Sequence, residues 1–211
     1  MPSTVLLEDS RYERTPVMSE KSTIADLQQK IALYEDMNAY RQLYELLNER
    51  LFWFVFSFVK SKETAEEIVS DVFIKLWKIR DELPSIRNLQ VFLYVIARNY
   101  SLNYIIKEYK YPHVSLDEIQ LDVSTPINPE ELYISTEMSG KINKAIAELP
   151  AQCRLIFRMV REDGLKHKEV ADILNLSKTT IRNQLVIAVR KIAQAIRPHL
   201  EPVTVKQRYG Q

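Results

Sequence analysis

Five side chains near the C-terminal end of the chain share one stripe at helical spacing: Thr179, Arg182, Asn183, Val186 and Arg190. Hydroxyl, guanidinium and amide groups in a row do no covalent chemistry. They offer hydrogen bonds at regular intervals, and a helix carrying them can read base edges in the major groove of DNA. The opposite stripe is Ile181, Leu185, Ala188, Ile192 and Ile196, spaced four, three, four and four, which is the face such a helix buries.

The elements that must hold this helix precede it in the run REDGLKHKEVADILNLSKTTIRNQLVIAVRKIAQAI, which starts at Arg161. Gly164 follows an apolar helix and can adopt the left-handed conformation that stops it. Lys166 to Leu174 reads as a short helix with Val170, Ala171 and Leu174 on one side. Asn175-Leu176-Ser177 is the turn, and Ser177 is a good N-cap for the second helix. The pattern is a helix-turn-helix. Paired short amphipathic helices are common in all-helical proteins, so charge has to discriminate. From Lys166 to Arg197 there are seven Lys/Arg against two acids, a net +5, on a chain whose total is +1. A basic segment on a near-neutral chain is the footprint expected of a phosphate binder.

Composition excludes other classes. The 211 residues are 46% hydrophobic and 27% charged, as in a soluble globular protein of one large domain or two small ones. Three glycines leave no dinucleotide or P-loop fingerprint. The single Cys153 rules out an internal disulfide and a cysteine zinc site, and its apolar setting makes it a core residue. His113, His167 and His199 are isolated, with no ligand spacing. No metal or cofactor is expected. The polar N-terminus carries no signal peptide, and the longest apolar run, Leu51 to Val59, is too short to span a bilayer. A cytoplasmic protein is expected.

The organisation is all-α, with two small helical domains joined by an acidic flexible linker. Residues 1–21 read as a mobile tail. In residues 22–110, Leu27, Ile31 and Tyr34 open a helical pattern that Tyr40, Leu43, Leu47, Leu51, Phe54 and Phe58 continue. Thr64-x-x-Glu67 reads as a capping box for a helix carrying Ile68, Val72, Leu76 and Ile79. Pro84 breaks the chain. Leu89 starts another long helix, with Leu89, Phe92, Leu93, Ile96 and Tyr100 as its apolar face. Residues 111–136 form the linker, where Ser115 to Glu137 holds six acids and no Lys or Arg. Such a segment should be extended and self-repelling. Residues 137–197 form the helix-turn-helix domain, in which Pro150 starts a helix and Pro198 stops the last one; residues 198–211 are a tail.

Two further surfaces lie in the first helical domain. Glu67 and Asp71 stack at i, i+4, and nothing local shifts their acidity toward catalysis, so they read as a solvated or partner-binding face rather than a general acid and base. The helix from Leu89 to Tyr111 carries Arg98, Asn99, Asn103, Lys107 and Lys110 with Tyr94, Tyr100, Tyr104, Tyr109 and Tyr111. Cations, amides and aromatic faces together suit single-stranded DNA, while tyrosines also serve as ordinary core or surface filler. No catalytic constellation is present. From the residues alone, the chain reads as a DNA-binding protein or as a helical adaptor whose basic face binds another protein.

The two signatures fall into place together. TAEEIVSDVFIKLWKIRDEL followed by VFLYVIARNYSLNYIIKEY resembles the promoter-melting domain of bacterial RNA polymerase sigma factors of the extracytoplasmic-function (ECF) type. INKAIAELPAQCRLIFRMVREDGLKHKEVADILNLSKTTIRNQLVIAVRKI is similar to their helix-turn-helix domain. The resemblance spans residues 35 to 197 in the family's order. It implies a non-enzymatic protein that binds core RNA polymerase, carries it to a promoter subset and helps melt the DNA. It implies that Glu67, Asp71, Phe73, Lys75 and Trp77 dock on polymerase. Arg98, Asn99, Asn103 and Lys107, with the loop Leu83 to Asn88, are implied to open the minus-ten element of promoter DNA. Lys178, Thr179, Arg182, Asn183 and Arg190 are implied to read the minus-thirty-five element. The linker is implied to run through polymerase channels, and an anti-sigma factor, often membrane-bound, is implied as a partner. The chain departs from the family at Asn103, where Asp is common, and in a sparser basic run at IIKEYKYPH. The alternative is a stand-alone helix-turn-helix regulator with a helical sensory or dimerisation domain.

Overall fold

The computed structural model describes residues 20–109 and 136–200. The expectations for the N-terminal tail before Glu20, for residues 110–135 of the acidic linker, and for the tail beyond Leu200 lie outside the described residues. Among the described residues every regular element is helical. The first four helices are α1 (Glu20–Tyr34), α2 (Met37–Val59), α3 (Lys62–Lys78) and α4 (Leu89–Tyr109), with a 3-10 turn at Arg80–Ser85 before α4. The last four are α5 (Thr136–Ala147), α6 (Ala151–Arg161), α7 (His167–Leu174) and α8 (Lys178–Leu200).

Caps fix the boundaries. Asp36 accepts from the backbone N–H groups of Asn38 and Ala39 and starts α2. Lys60, at φ 61°, ends it in the left-handed conformation. Ser61, not Thr64, caps α3: its hydroxyl accepts from the Thr64 N–H at 3.2 Å. The Thr64-x-x-Glu67 pattern lies inside the first turn, because Ser61 offers an acceptor three residues earlier. The Thr64 hydroxyl instead points to the Tyr104 hydroxyl at 3.4 Å. Gly164 does take φ +64° beyond α6, Asn175 takes φ 56° at the end of α7, and Ser177 caps α8 through the Thr180 N–H at 3.0 Å. One boundary differs: α8 runs through Pro198 to Leu200. Pro198 lacks the N–H that would reach residue 194, and the final turn continues past this single lost bond.

The buried stripe of α2 (Leu43, Leu47, Leu51, Phe54, Phe58) packs with Ile68, Val72 and Leu76 of α3 and with α4. Full burial of each such Leu or Phe contributes roughly 1.5–3 kcal/mol. On α4 the deepest stripe is rotated from the expected one. Leu89, Gln90, Leu93, Tyr94, Ala97, Ser101 and Ile105 are buried, while Phe92, Ile96 and Tyr100 are half-buried. The cause is a second neighbour, since α4 packs on α2 and α3 and also on α7. The core is consequently continuous: Ile156, Met159, Leu165, Val170 and Leu174 join the same apolar cluster as the first four helices. Cys153 is buried beside Leu149 and Ala188, as expected of a core residue.

Candidate nucleic-acid interfaces

In α8 the inward stripe fixes what faces out. Ile181, Leu185 and Ala188 are buried, whereas Ile192 and Ile196 are only half-buried because the helix runs off the end of the domain. Lys178, Thr179, Arg182, Asn183 and Arg190 are all exposed. Ser177 holds the start of this helix, so its first side chains sit on a fixed turn. Val186, expected on this outward stripe, is 52% exposed, and sequence patterning passed over two more exposed β-branched side chains on the same helix, Ile187 and Val189.

On α4, Asn99, Asn103 and Lys107 lie at four-residue steps and are exposed, with Arg98 half-buried beside them. Burial pulls the Arg98 guanidinium down from its ordinary value. Its Nε is buried without a hydrogen-bond partner. A desolvated cation in this state interacts strongly with any anion that reaches it. The tyrosines divide. Tyr94, with 1% exposure, packs its ring edge-on to Phe54 at 4.9 Å and donates its hydroxyl to Asp163 Oδ2 at 2.7 Å, so its face is not open to a base in this conformation. Tyr100 and Tyr104 are half-buried, and Lys110 and Tyr111 lie outside the described residues.

The loop before α4 is held from three sides. Gln28 Nε2 donates to the carbonyls of Leu83, at 2.6 Å, and Ile86, at 2.8 Å. Asn88 Oδ1 accepts from the Val91 N–H at 3.2 Å and so caps α4. Asn88 Nδ2 donates to Glu169 on α7 at 3.0 Å.

On α3, Glu67, Asp71 and Lys75 form an exposed strip. Phe73 does not join them: it is 2% exposed, and its ring meets Tyr44 and Tyr40. Its carbonyl accepts from the Tyr40 hydroxyl at 3.0 Å, and burial pushes that phenol up from its ordinary value. Trp77 is half-buried between the Tyr40 ring, 5.2 Å away, and the Arg80 guanidinium, 5.3 Å from its centroid. Both aromatics hold α3 on α2. The exposed apolar side chain of the strip is Ile74, at 48% exposure, three residues from Asp71, and the sequence reading missed it. Among the described residues there is no cluster of potential metal ligands and no helix long and apolar enough to cross a membrane.

Comparison with known proteins agrees with this layout. Residues 43–110 match the family model for sigma-70 region 2, and residues 139–192 match that for sigma-70 region 4. The two together take in more than half of the chain. The chain is 25% identical over 189 residues to the ECF RNA polymerase sigma-E factor of Escherichia coli, an alignment covering 86% of this chain and 98% of that protein. It is 24% identical over 160 residues to the ECF RNA polymerase sigma factor SigW of Bacillus subtilis, covering 71% of this chain and 84% of that protein. Its fold is similar to that of the sigma factor RpoE of Bartonella quintana, solved with the anti-sigma factor NepR. The TM-score there is 0.50 at 20% identity, over 76% of this chain and 98% of that one. With regions 2 and 4 in order along one chain whose described elements are all helical, this protein belongs to the sigma-70 family, as an RNA polymerase sigma factor of the extracytoplasmic-function type.

Proposed function

We propose that the chain carries core RNA polymerase to its promoters through three separate surfaces. The exposed stripe of α8 (Lys178, Thr179, Arg182, Asn183, Arg190) lies in the major groove at the minus-thirty-five element. Arg98, Asn99, Asn103 and Lys107 on α4 take the minus-ten element. The strip Glu67, Asp71, Ile74 and Lys75 of α3 docks on polymerase, and Phe73 and Trp77 hold that strip in place from behind.

The observation that carries this reading is Arg98. A half-buried guanidinium whose Nε lacks a partner, beside three exposed polar side chains on one helix face, is the arrangement expected of a site completed by a phosphate. Melting is favoured when bases released from the stack gain contacts that offset an unstacking cost of a few kcal/mol each. Two modest DNA surfaces on one chain gain affinity through effective concentration.

The protein works by binding and not by catalysis, and its site of action is the cytoplasm, where polymerase and promoters are found. An anti-sigma factor is the partner class that the Bartonella quintana neighbour's NepR complex supports. Charge reversal, Asp71→Lys, tests the polymerase surface. It should weaken capture of core polymerase while leaving duplex binding by the helix-turn-helix unchanged, and wild-type capture would misplace the surface.

A further inference from the structure

The inward stripe of α1 runs Ile24, Leu27 and Ile31, and all three are buried. Gln28 falls on the same face, between Leu27 and Ile31, and is buried with them at 9% exposure. A leucine would satisfy the packing. An amide at such a position is tolerated only where its polar atoms find partners. Both partners of Gln28 Nε2 are carbonyls of one loop: Leu83 at 2.6 Å and Ile86 at 2.8 Å, 55 and 58 positions away in sequence. An amide nitrogen carries two N–H groups, which suits it to two acceptors.

The loop needs such a partner. Pro84 has no N–H to give. The Ile86 N–H reaches the Leu83 carbonyl at 2.9 Å and closes the 3-10 turn. The chain then leaves helical geometry at Ile86, with φ −85° and ψ 108°, before Asn88 starts α4. Gln28 therefore ties down the stretch that joins two helical elements. The beginning of the turn is tied to the same place, because Arg80 Nη2 donates at 2.9 Å to Glu35, the residue after α1. Behind the loop stands a fixed helix, while Pro84, Ser85 and Arg87 are exposed in front. α1 precedes residues 43–110, the segment that matches sigma-70 region 2, so the loop is braced from outside that segment.

We propose that Gln28 is a positioning residue for promoter opening: from α1 it holds the loop Leu83 to Asn88 in the shape that receives bases released at the minus-ten element. The proposal rests on the reading of this loop and α4 as the minus-ten surface. A loop that had to become ordered as bases leave the stack would add its entropy to the cost of melting. A loop already held in place adds none, and more of the contact energy goes to opening.

The test uses the full chain with core RNA polymerase on two DNA fragments. One is a duplex promoter whose start has been mapped by chain-dependent transcription; the other is the same fragment with mismatches that unpair the minus-ten element. Gln28→Met keeps the length of the side chain and removes both donors. Amide exchange in the peptide covering residues 83–88 should quicken, with polymerase capture unchanged. Permanganate reactivity on the duplex should fall about tenfold, in line with two lost hydrogen bonds. Transcription from the premelted fragment should stay within about twofold of the parent, since its bases are already unstacked. A merely structural loss would lower both fragments alike. Gln28→Asn, one methylene too short to span both carbonyls, decides by the same readouts if Gln28→Met does not fold. Unchanged opening, or equal losses on the two fragments, overturns the assignment of Gln28. A parent chain that captures polymerase and never opens the duplex overturns the minus-ten reading, and the assignment with it.

Discussion

Arg98 and Arg182 present the same guanidinium in opposite surroundings, and their substitutions should separate accordingly. Arg182 is exposed on α8. Arg182→Ala should cost about 1–3 kcal/mol of minus-thirty-five binding if it makes a bidentate base contact, with melting temperature unchanged. Binding isotherms at matched salt check this, and equal affinity removes Arg182 from the readout. Arg98→Met keeps the aliphatic stem and deletes a charge that the fold desolvates, so stability should hold or rise slightly while promoter opening falls. Permanganate footprinting beside a thermal melt reads both effects. The buried acids give a pH prediction. Burial raises the Tyr40 phenol and the Cys153 thiol above their ordinary values, so the folded state keeps protons that the unfolded chain releases. Their stabilising effect is intact below pH 9 and is lost as pH rises through that range and beyond. Melts at pH 7 and pH 10 should show the alkaline sample less stable, and Tyr40→Phe should reduce the difference. At this scale the α8 stripe was legible because one period assigns both faces. Phe73 and Tyr94 were not, because composition cannot tell an aromatic that presents a surface from one buried behind it.

The helices themselves were legible where the apolar stripe keeps one helical period along its length. Leu43, Leu47, Leu51, Phe54 and Phe58 of α2 are buried as its spacing predicts, with Tyr40 half-buried and Ala39, Val55, Ser57 and Val59 buried beyond them, and the turn at Asn175 with the cap at Ser177 follows from local chemistry. Patterning went astray where a second option competed. Two oxygens could cap α3, and Ser61 prevails because it stands before the first turn. Ser61→Ala should then destabilise by about 1 kcal/mol, and Thr64→Ala by distinctly less, in urea unfolding; the reverse order would restore the Thr64 cap. The α4 face rotated because two domains share it, which no one-face pattern anticipates. The division of labour on α3 gives a matched pair. Phe73→Ala should cost about 3–5 kcal/mol of stability by opening a cavity. Ile74→Ala, at an exposed position, should leave unfolding nearly unchanged and weaken polymerase capture. Equal effects of the two on capture at equal stability would make Phe73 part of the surface after all.

Across the whole molecule, sequence reading recovered two helical units, their order and the family. It did not recover their contact. Asn88, Gln90 and Tyr94 meet Glu169 and Asp163 across 69 to 81 positions of sequence, through single hydrogen bonds with no period to betray them. Charge was similarly informative only in aggregate, marking the basic helix-turn-helix against a near-neutral chain without saying which cations face out. The account depends most on the claim that this chain confers promoter-specific initiation on a polymerase that lacks it. The direct measurement is in vitro transcription of genomic fragments from the source organism by purified core RNA polymerase, with and without the full chain, with transcript 5′ ends mapped. The account predicts discrete starts that appear only with the chain and share two upstream sequence elements, and that are lost with Arg182→Ala and Asp71→Lys. Core polymerase that binds the chain's DNA targets no better with it than without it, and yields no chain-dependent starts, would contradict the account.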